Sequence, residues 1–197
     1  MKSRVILASA LLLIPAGCAT AIPSAEVTRF HLDQTPMSGT VAVEEMLGNQ
    51  DVSLEFKTYA AAVGQELQRI GFTEQAGKDS EYVALVSFRR AFRSPNEALG
   101  NDKPVSVSVG GSTGSYGSGL GVGIGINLAG KPKDIVTTEL YTQIRRRSDQ
   151  TTMWEGRATT EAREGTPASQ PGLAAAKLAS ALFRDFPGQS GVTIRVK

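Results

Sequence analysis

SLEFKTYAAAVGQELQRI, residues 53–70, is followed after a short gap by EYVALVSFRRAF, residues 81–92, and this pair decides the fold. In the first stretch Phe56, Tyr59, Ala60, Val63, Leu67 and Ile70 recur at three- and four-residue spacing, the period of an amphipathic helix. Asp51 or Ser53 can cap its start, and Gly71 stands where a helix favours a left-handed closing residue. In the second stretch Tyr82, Val86, Phe88 and Phe92 fall on one face of a strand and Val83 and Leu85 on the other. A strand apolar on both sides near its start belongs in the middle of a sheet.

Outward from this pair the periods continue to alternate. Towards the N-terminus, Val27, Arg29 and His31 alternate with Thr28, Phe30 and Leu32, and Thr40 to Val43 reads as a second strand after a turn at residues 34–39. Towards the C-terminus, residues 94–103 read as a loop, and residues 104–128 as a hairpin. Its valines 105, 107 and 109 alternate with serines, and Leu120, Val122, Ile124 and Ile126 alternate with glycines. A two-stranded ribbon with one nearly side-chain-free face needs something to lie on. Asp134 to Arg147 and Thr151 to Arg163 form a better hairpin around Ser148, Asp149 and Gln150. Val136, Leu140 and Ile144 share one face of its first arm, and Trp154, Gly156 and Ala158 one face of its second. A last helix is expected from Pro171 to Phe186, with Ala175, Leu178, Leu182 and Phe186 on one side and Pro187 ending it. Val192, Ile194 and Val196 make a closing strand. The order predicts an α+β domain over residues 26–197, a mostly antiparallel sheet with two helices packed on one face and the Gly-rich hairpin as an insertion.

Residues 26–190 resemble the short bacterial lipoproteins of the domain-of-unknown-function family DUF4136. The resemblance rests on Phe56-Lys57-Thr58-Tyr59 opening the first helix, Leu67 to Phe72 closing it, the strand near Tyr82 to Phe88, the glycine-rich middle, the Trp154-Glu155-Gly156 step and Phe186-Pro187. It implies an exported, lipid-anchored α+β domain and brings no catalytic residues with it.

The N-terminus supplies an address. Lys2 and Arg4 precede an apolar run from Val5 to Ile14, and the small residues Ala16 and Gly17 follow, the layout of a signal peptide over residues 1–17. The run is half the roughly 20 residues a membrane-spanning helix needs. The cleavage region resembles the lipobox of bacterial lipoproteins, with Cys18 as the acylated residue and Pro15 where that pattern usually has an aliphatic residue. Cys18 is the only cysteine, so neither an intramolecular disulfide nor a cysteine metal site can form. Two or three acyl chains on Cys18 anchor the chain stably, and residues 18–25 then serve as a tether. Ala19, rather than Asp, after the cysteine points by the same resemblance to the outer membrane.

Charge and chemistry narrow the function. Lys2 and Arg4 account for two of the 21 basic residues, so the other 19 balance the 19 acidic ones and a nucleic-acid binder is not expected. His31, the single histidine, lies in an early strand with no partner motif for a Ser-His-Asp arrangement. One histidine and the consecutive Glu44 and Glu45, which point to opposite faces of a strand, offer no metal site. The glycine-rich stretch lacks the Lys and Ser/Thr of a phosphate loop. No catalytic, cofactor or metal residue is therefore expected. Arg145 and Arg147, flanking Arg146 on a strand, are the candidate anion contacts, towards lipid headgroups or lipopolysaccharide phosphates.

These readings predict a non-enzymatic lipoprotein at the periplasmic face of the outer membrane, held by the lipid on Cys18 and acting as a binding or assembly module with another envelope component. The alternative is an oligomer or pore component assembling through the Gly-rich hairpin. A hydrolase is the third reading and has no spacing in its favour.

Overall fold

The computed structural model describes residues 23–33, 35, 38–46, 53–94, 107–108, 123–124 and 133–197. Residues 1–17, expected to be a signal peptide, lie outside them with Cys18 and Ala19, as does nearly all of the stretch 104–128 expected to form a Gly-rich hairpin. The elements in chain order are β1 (Ala25–His31), β2 (Gly39–Glu45), α1 (Leu54–Arg69), β3 (Phe72–Glu74), β4 (Tyr82–Arg93), β5 (Val107–Ser108), β6 (Gly123–Ile124), β7 (Ile135–Arg146), β8 (Thr152–Arg163), α2 (Pro171–Phe183) and β9 (Thr193–Val196).

Seven strands form one sheet in the order β3-β2-β4-β7-β8-β1-β9. All pairs are antiparallel except those of β2, which runs parallel to both β3 and β4. The fold is thus mixed α and β with a mostly antiparallel sheet, and β4 lies inside it as its two-sided apolar pattern requires. β2, α1 and β3 make a strand, helix, parallel strand unit; β3 is too short, at three residues, for its alternation to be read from sequence.

α1 forms where its period and cap dictate. Ser53 Oγ accepts a hydrogen bond from the Phe56 amide, which satisfies one of the orphan donors of the first turn and contributes about 1 kcal/mol. Gly71 follows the helix at φ 111°, a value that side chains resist. Phe56, Tyr59, Val63 and Leu67 are buried.

α2 ends at Phe183, one turn short of the sequence expectation. Arg184 is already extended at ψ 131° and Asp185 left-handed at φ 53°. The residue before a proline avoids helical backbone, so the chain leaves the helix ahead of Phe186 and Pro187. Phe186 still packs, tilted against Trp154 at 5.4 Å between ring centroids. Two other expectations shift similarly. Phe92, placed on the apolar face of β4, is 57% exposed with the Arg90 guanidinium over its ring, and Val192 precedes β9 and is exposed.

The core is one cluster of side chains from both helices and from one side of the sheet, including Val27, Val41, Ala84, Val86, Leu140, Ile144, Trp154 and Ala158. Trp154 stacks on Phe183 at 5.2 Å, and its indole N–H donates to the Pro187 carbonyl at 3.0 Å. Burial of such rings dominates the apolar stabilisation, and the polar tip is satisfied.

Register shows how residues 94–134 are attached. β4 and β7 are neighbours, and Arg93 pairs directly with Ile135 at their ends. The stretch therefore leaves the sheet and returns at one point. Within it Val107 pairs with Ile124 and Ser108 with Gly123.

Candidate functional site

The end of the sheet where Arg93, Ile135 and Arg163 meet is also where the N-terminal segment joins the domain. Ile135 pairs with Arg163, and Ala25, at the start of β1, pairs with Thr160 on one side and Val196 on the other. The Ser24 carbonyl accepts from Thr160 Oγ1 at 3.2 Å, so the chain is held from its second described residue onward.

Beside this end lies a groove of about 1240 Å³. Leu173, Lys177 and Ala181, at four-residue steps, contribute from α2 and Arg184 from just past its end, while Pro23 and Arg163 contribute from the strand ends. Its charges are unevenly used. Glu161 accepts from Thr137 and faces Arg93, Asp185 lies 3.9 Å from Arg184, and Arg69 is bound to Glu66 and to the Phe183 carbonyl. Arg163 and Lys177 have no ion-pair partner among the described residues. Lys177 Nζ is buried without a hydrogen bond among the described residues, and desolvation pushes its pKa down. Sequence pattern gives no hint of this, because Lys177 reads as an ordinary polar position in an alanine-rich helix.

The side of the sheet turned away from the core carries a polar network. Glu155 Oε2 accepts from the Tyr141 hydroxyl at 2.7 Å and from Gln143 Nε2 at 2.8 Å. Arg145 donates to Gln143 Oε1 at 2.7 Å, and the Arg157 guanidinium lies over the Tyr141 ring at 5.6 Å. Burial, and then the bond to Glu155, push the Tyr141 pKa up. The register places Phe30 directly opposite Glu155, and Phe30 is 52% exposed. This arrangement fixes side chains on a half-exposed surface and presents hydrogen-bonding groups beside aromatic ones.

Arg145 and Arg147 are held by different groups. Arg147, just past β7, binds Glu44, Ser80 Oγ at 3.0 Å and the Gly77 carbonyl at 3.1 Å, tying the β7–β8 turn to β2 and to the segment before β4. Arg146 points elsewhere, to Asp149 at 3.0 Å. Both His31 ring nitrogens lie against backbone carbonyls, Nδ1 at 3.2 Å from Leu32 and Nε2 at 3.0 Å from Gly188. Among the described residues no group of three His, Cys, Asp or Glu side chains is arranged to hold a metal ion.

The family model described as "Domain of unknown function (DUF4136)" matches residues 30–188. The chain belongs to this family. The DUF4136 match runs from the end of β1 to the residue after Pro187 and so takes in the groove's α2 wall and the polar network. An uncharacterized protein of Zymomonas mobilis subsp. mobilis is 29% identical to this DUF4136 chain over 211 residues, covering 87% of this chain and 80% of the relative. Among solved structures, a PelC dodecamer from Paraburkholderia phytofirmans aligns at a TM-score of 0.42 and 11% identity, over 80% of this chain and 94% of that one. A PDZ domain protein from Parabacteroides distasonis aligns at a TM-score of 0.46 and 10% identity, over 88% of this chain and 39% of that one.

Proposed function

We propose that this DUF4136 chain is a non-enzymatic lipoprotein, anchored through Cys18 at the periplasmic face of the outer membrane, whose domain binds or helps assemble another envelope component. The observation that carries the reading is the short distance between anchor and fold. Pro23 already lines the groove and Ala25 is a fully buried strand residue, only a few residues beyond Cys18. A lipid on Cys18 then holds the domain itself at the membrane surface. With α1 and α2 covering one side of the sheet, the side bearing Tyr141, Gln143, Glu155 and Phe30 is left for a partner, and its mixture of hydrogen-bonding and aromatic groups suits a protein or glycolipid surface.

Assembly through the Gly-rich stretch is the second reading, supported by the way residues 94–134 leave and rejoin the sheet at Arg93 and Ile135. The deciding experiment is the intact mass of the protein purified in mild detergent from membranes of its native host, beside a crosslinked sample. A mass starting at acylated Cys18 with a crosslinked partner of different mass supports the binding module. A ladder of this chain alone supports the oligomer. An unacylated chain cut elsewhere removes the anchor and reopens an enzymatic role.

A further inference from the structure

We infer that the α2 groove is the membrane-docking face of the domain, where Arg163 and Lys177 take the phosphates of anionic lipid headgroups and Leu173 enters the interface between them. The inference rests on the lipid anchor at Cys18 and adds an orientation to it. Three observations carry it.

The first is reach. Five peptide steps separate Cys18 from Pro23, and an extended chain spans at most about 3.5 Å per residue, so Pro23 stays within about 18 Å of the acylated residue. A domain of this length is about 40 Å across. The tether is therefore shorter than the domain is wide, and the side bearing Pro23 and the groove is the side kept near the bilayer.

The second is charge. Arg163 is exposed and Lys177 Nζ is buried, and both lack an anionic partner among the described residues, whereas the groove's acidic side chains Glu161 and Asp185 lie beside Arg93 and Arg184. A phosphate brought to Lys177 would supply the partner its ammonium lacks and offset the cost of its desolvation. The third is the apolar component. Leu173, one helical turn before Lys177, is 53% exposed on the groove wall, so cation and aliphatic side chain stand side by side, as on a surface that lies in the headgroup region.

The test uses the natively lipidated full chain, reconstituted at low density in phosphatidylcholine vesicles with or without about one third phosphatidylglycerol. A fluorophore is placed at Leu173→Cys or, at the opposite end of the sheet, at Asp149→Cys, and quenching by headgroup-nitroxide lipid is read. Docking predicts strong quenching at position 173 with anionic lipid and little at position 149. The charge reversal Arg163→Glu with Lys177→Glu, checked for native circular dichroism, should weaken the docked state at least roughly 30-fold, since loss of each cation near an anionic bilayer costs about fivefold and the new carboxylates add repulsion. Equal quenching at both positions, or quenching at 173 that ignores anionic lipid and the charge reversal, overturns docking while the anchor stands. Protection of 173 that rises with protein density instead assigns the groove to a second copy and also overturns it. A mass without acyl groups removes the anchor, and the docking inference falls with it.

Discussion

Gly156 gives up its side-chain space to Trp154. A Cβ at position 156 would stand 2.7 Å from Trp154 Cη2 and 2.8 Å from Leu182 Cδ1, closer than packed carbons approach. The indole therefore lies across its own strand, over Gly156, and meets α2 there. This explains why the Trp154-Glu155-Gly156 step marks the chain: the large residue and the missing one are a single packing solution. Gly156→Ala should destabilise the domain by about 2 kcal/mol through overpacking, seen as a Tm lowered by several degrees with native near-ultraviolet circular dichroism weakened. An unchanged Tm would mean that the indole does not fill this space.

Arg29 does for α2 what no residue of α2 does for itself. The helix has no basic residue in its last turn, yet Arg29 reaches in from β1, 3% exposed, and donates from Nε to the Leu182 carbonyl and from Nη2 to the Ala181 carbonyl, both at 2.8 Å. The guanidinium satisfies two of the orphan carbonyls and complements the negative end of the helix. Burial lowers its pKa and Asp185 acts against that shift, but arginine remains charged. Arg29→Met keeps the aliphatic bulk and removes both bonds, and should cost about 3 kcal/mol in denaturant unfolding. Arg29→Lys, which lacks the planar fork, should recover less than half of that. Full stability in the methionine variant would show the two carbonyls are satisfied otherwise.

Local periodicity specifies this fold as far as local forces reach. α1 matches its expected bounds within a residue because a cap, a 3.6 period and a closing glycine agree. β7 and β8 match because their buried residues alternate without interruption from Val136 to Ile144 and from Trp154 to Ala162. Three features did not show. β3 is shorter than one useful period, the end of α2 is set by backbone at Arg184 and Asp185 rather than by apolar pattern, and the Arg29 contact joins residues more than 150 positions apart. The groove is hidden for the same reason. Arg163 and Lys177 come to line one groove only once α2 has packed against the sheet, so composition records two unremarkable cations.

Tyr59 makes the alkaline limb of stability testable. Its ring stacks on Phe88 at 4.4 Å, it is fully buried, and its hydroxyl has no hydrogen-bond partner among the described residues. Desolvation first, with Arg90 opposing and Glu55 assisting, raises its pKa from 10.0 to about 12. The folded state therefore holds this proton when the unfolded chain has released it. Its contribution is complete below pH 10 and is lost as pH rises from 10 to about 12, a decline of roughly 2 kcal/mol. Tyr59→Phe removes an unsatisfied hydroxyl and the titration together. It should raise stability by about 1 kcal/mol at pH 7, and the gap between variant and wild type should widen above pH 10. Parallel curves across that range would show that Tyr59 ionises normally.

The attachment of residues 94–134 predicts that they can be removed. Because Arg93 and Ile135 already pair, the two strands need only a tight turn to stay joined. Replacing 94–134 by Asn-Gly supplies the residues that such a hairpin turn favours and shortens a long closed loop to a minimal one, which lowers the closure entropy by about 2 kcal/mol or more. The shortened protein should therefore unfold cooperatively at an equal or higher Tm and keep the Arg93 end of the sheet protected in hydrogen exchange. If it does, its crosslinking pattern separates the two assembly readings: a ladder lost on shortening assigns self-association to this stretch, and one that persists assigns it to the domain. A domain that no longer folds would show that part of 94–134 belongs to the core, and association through that stretch would lose its support.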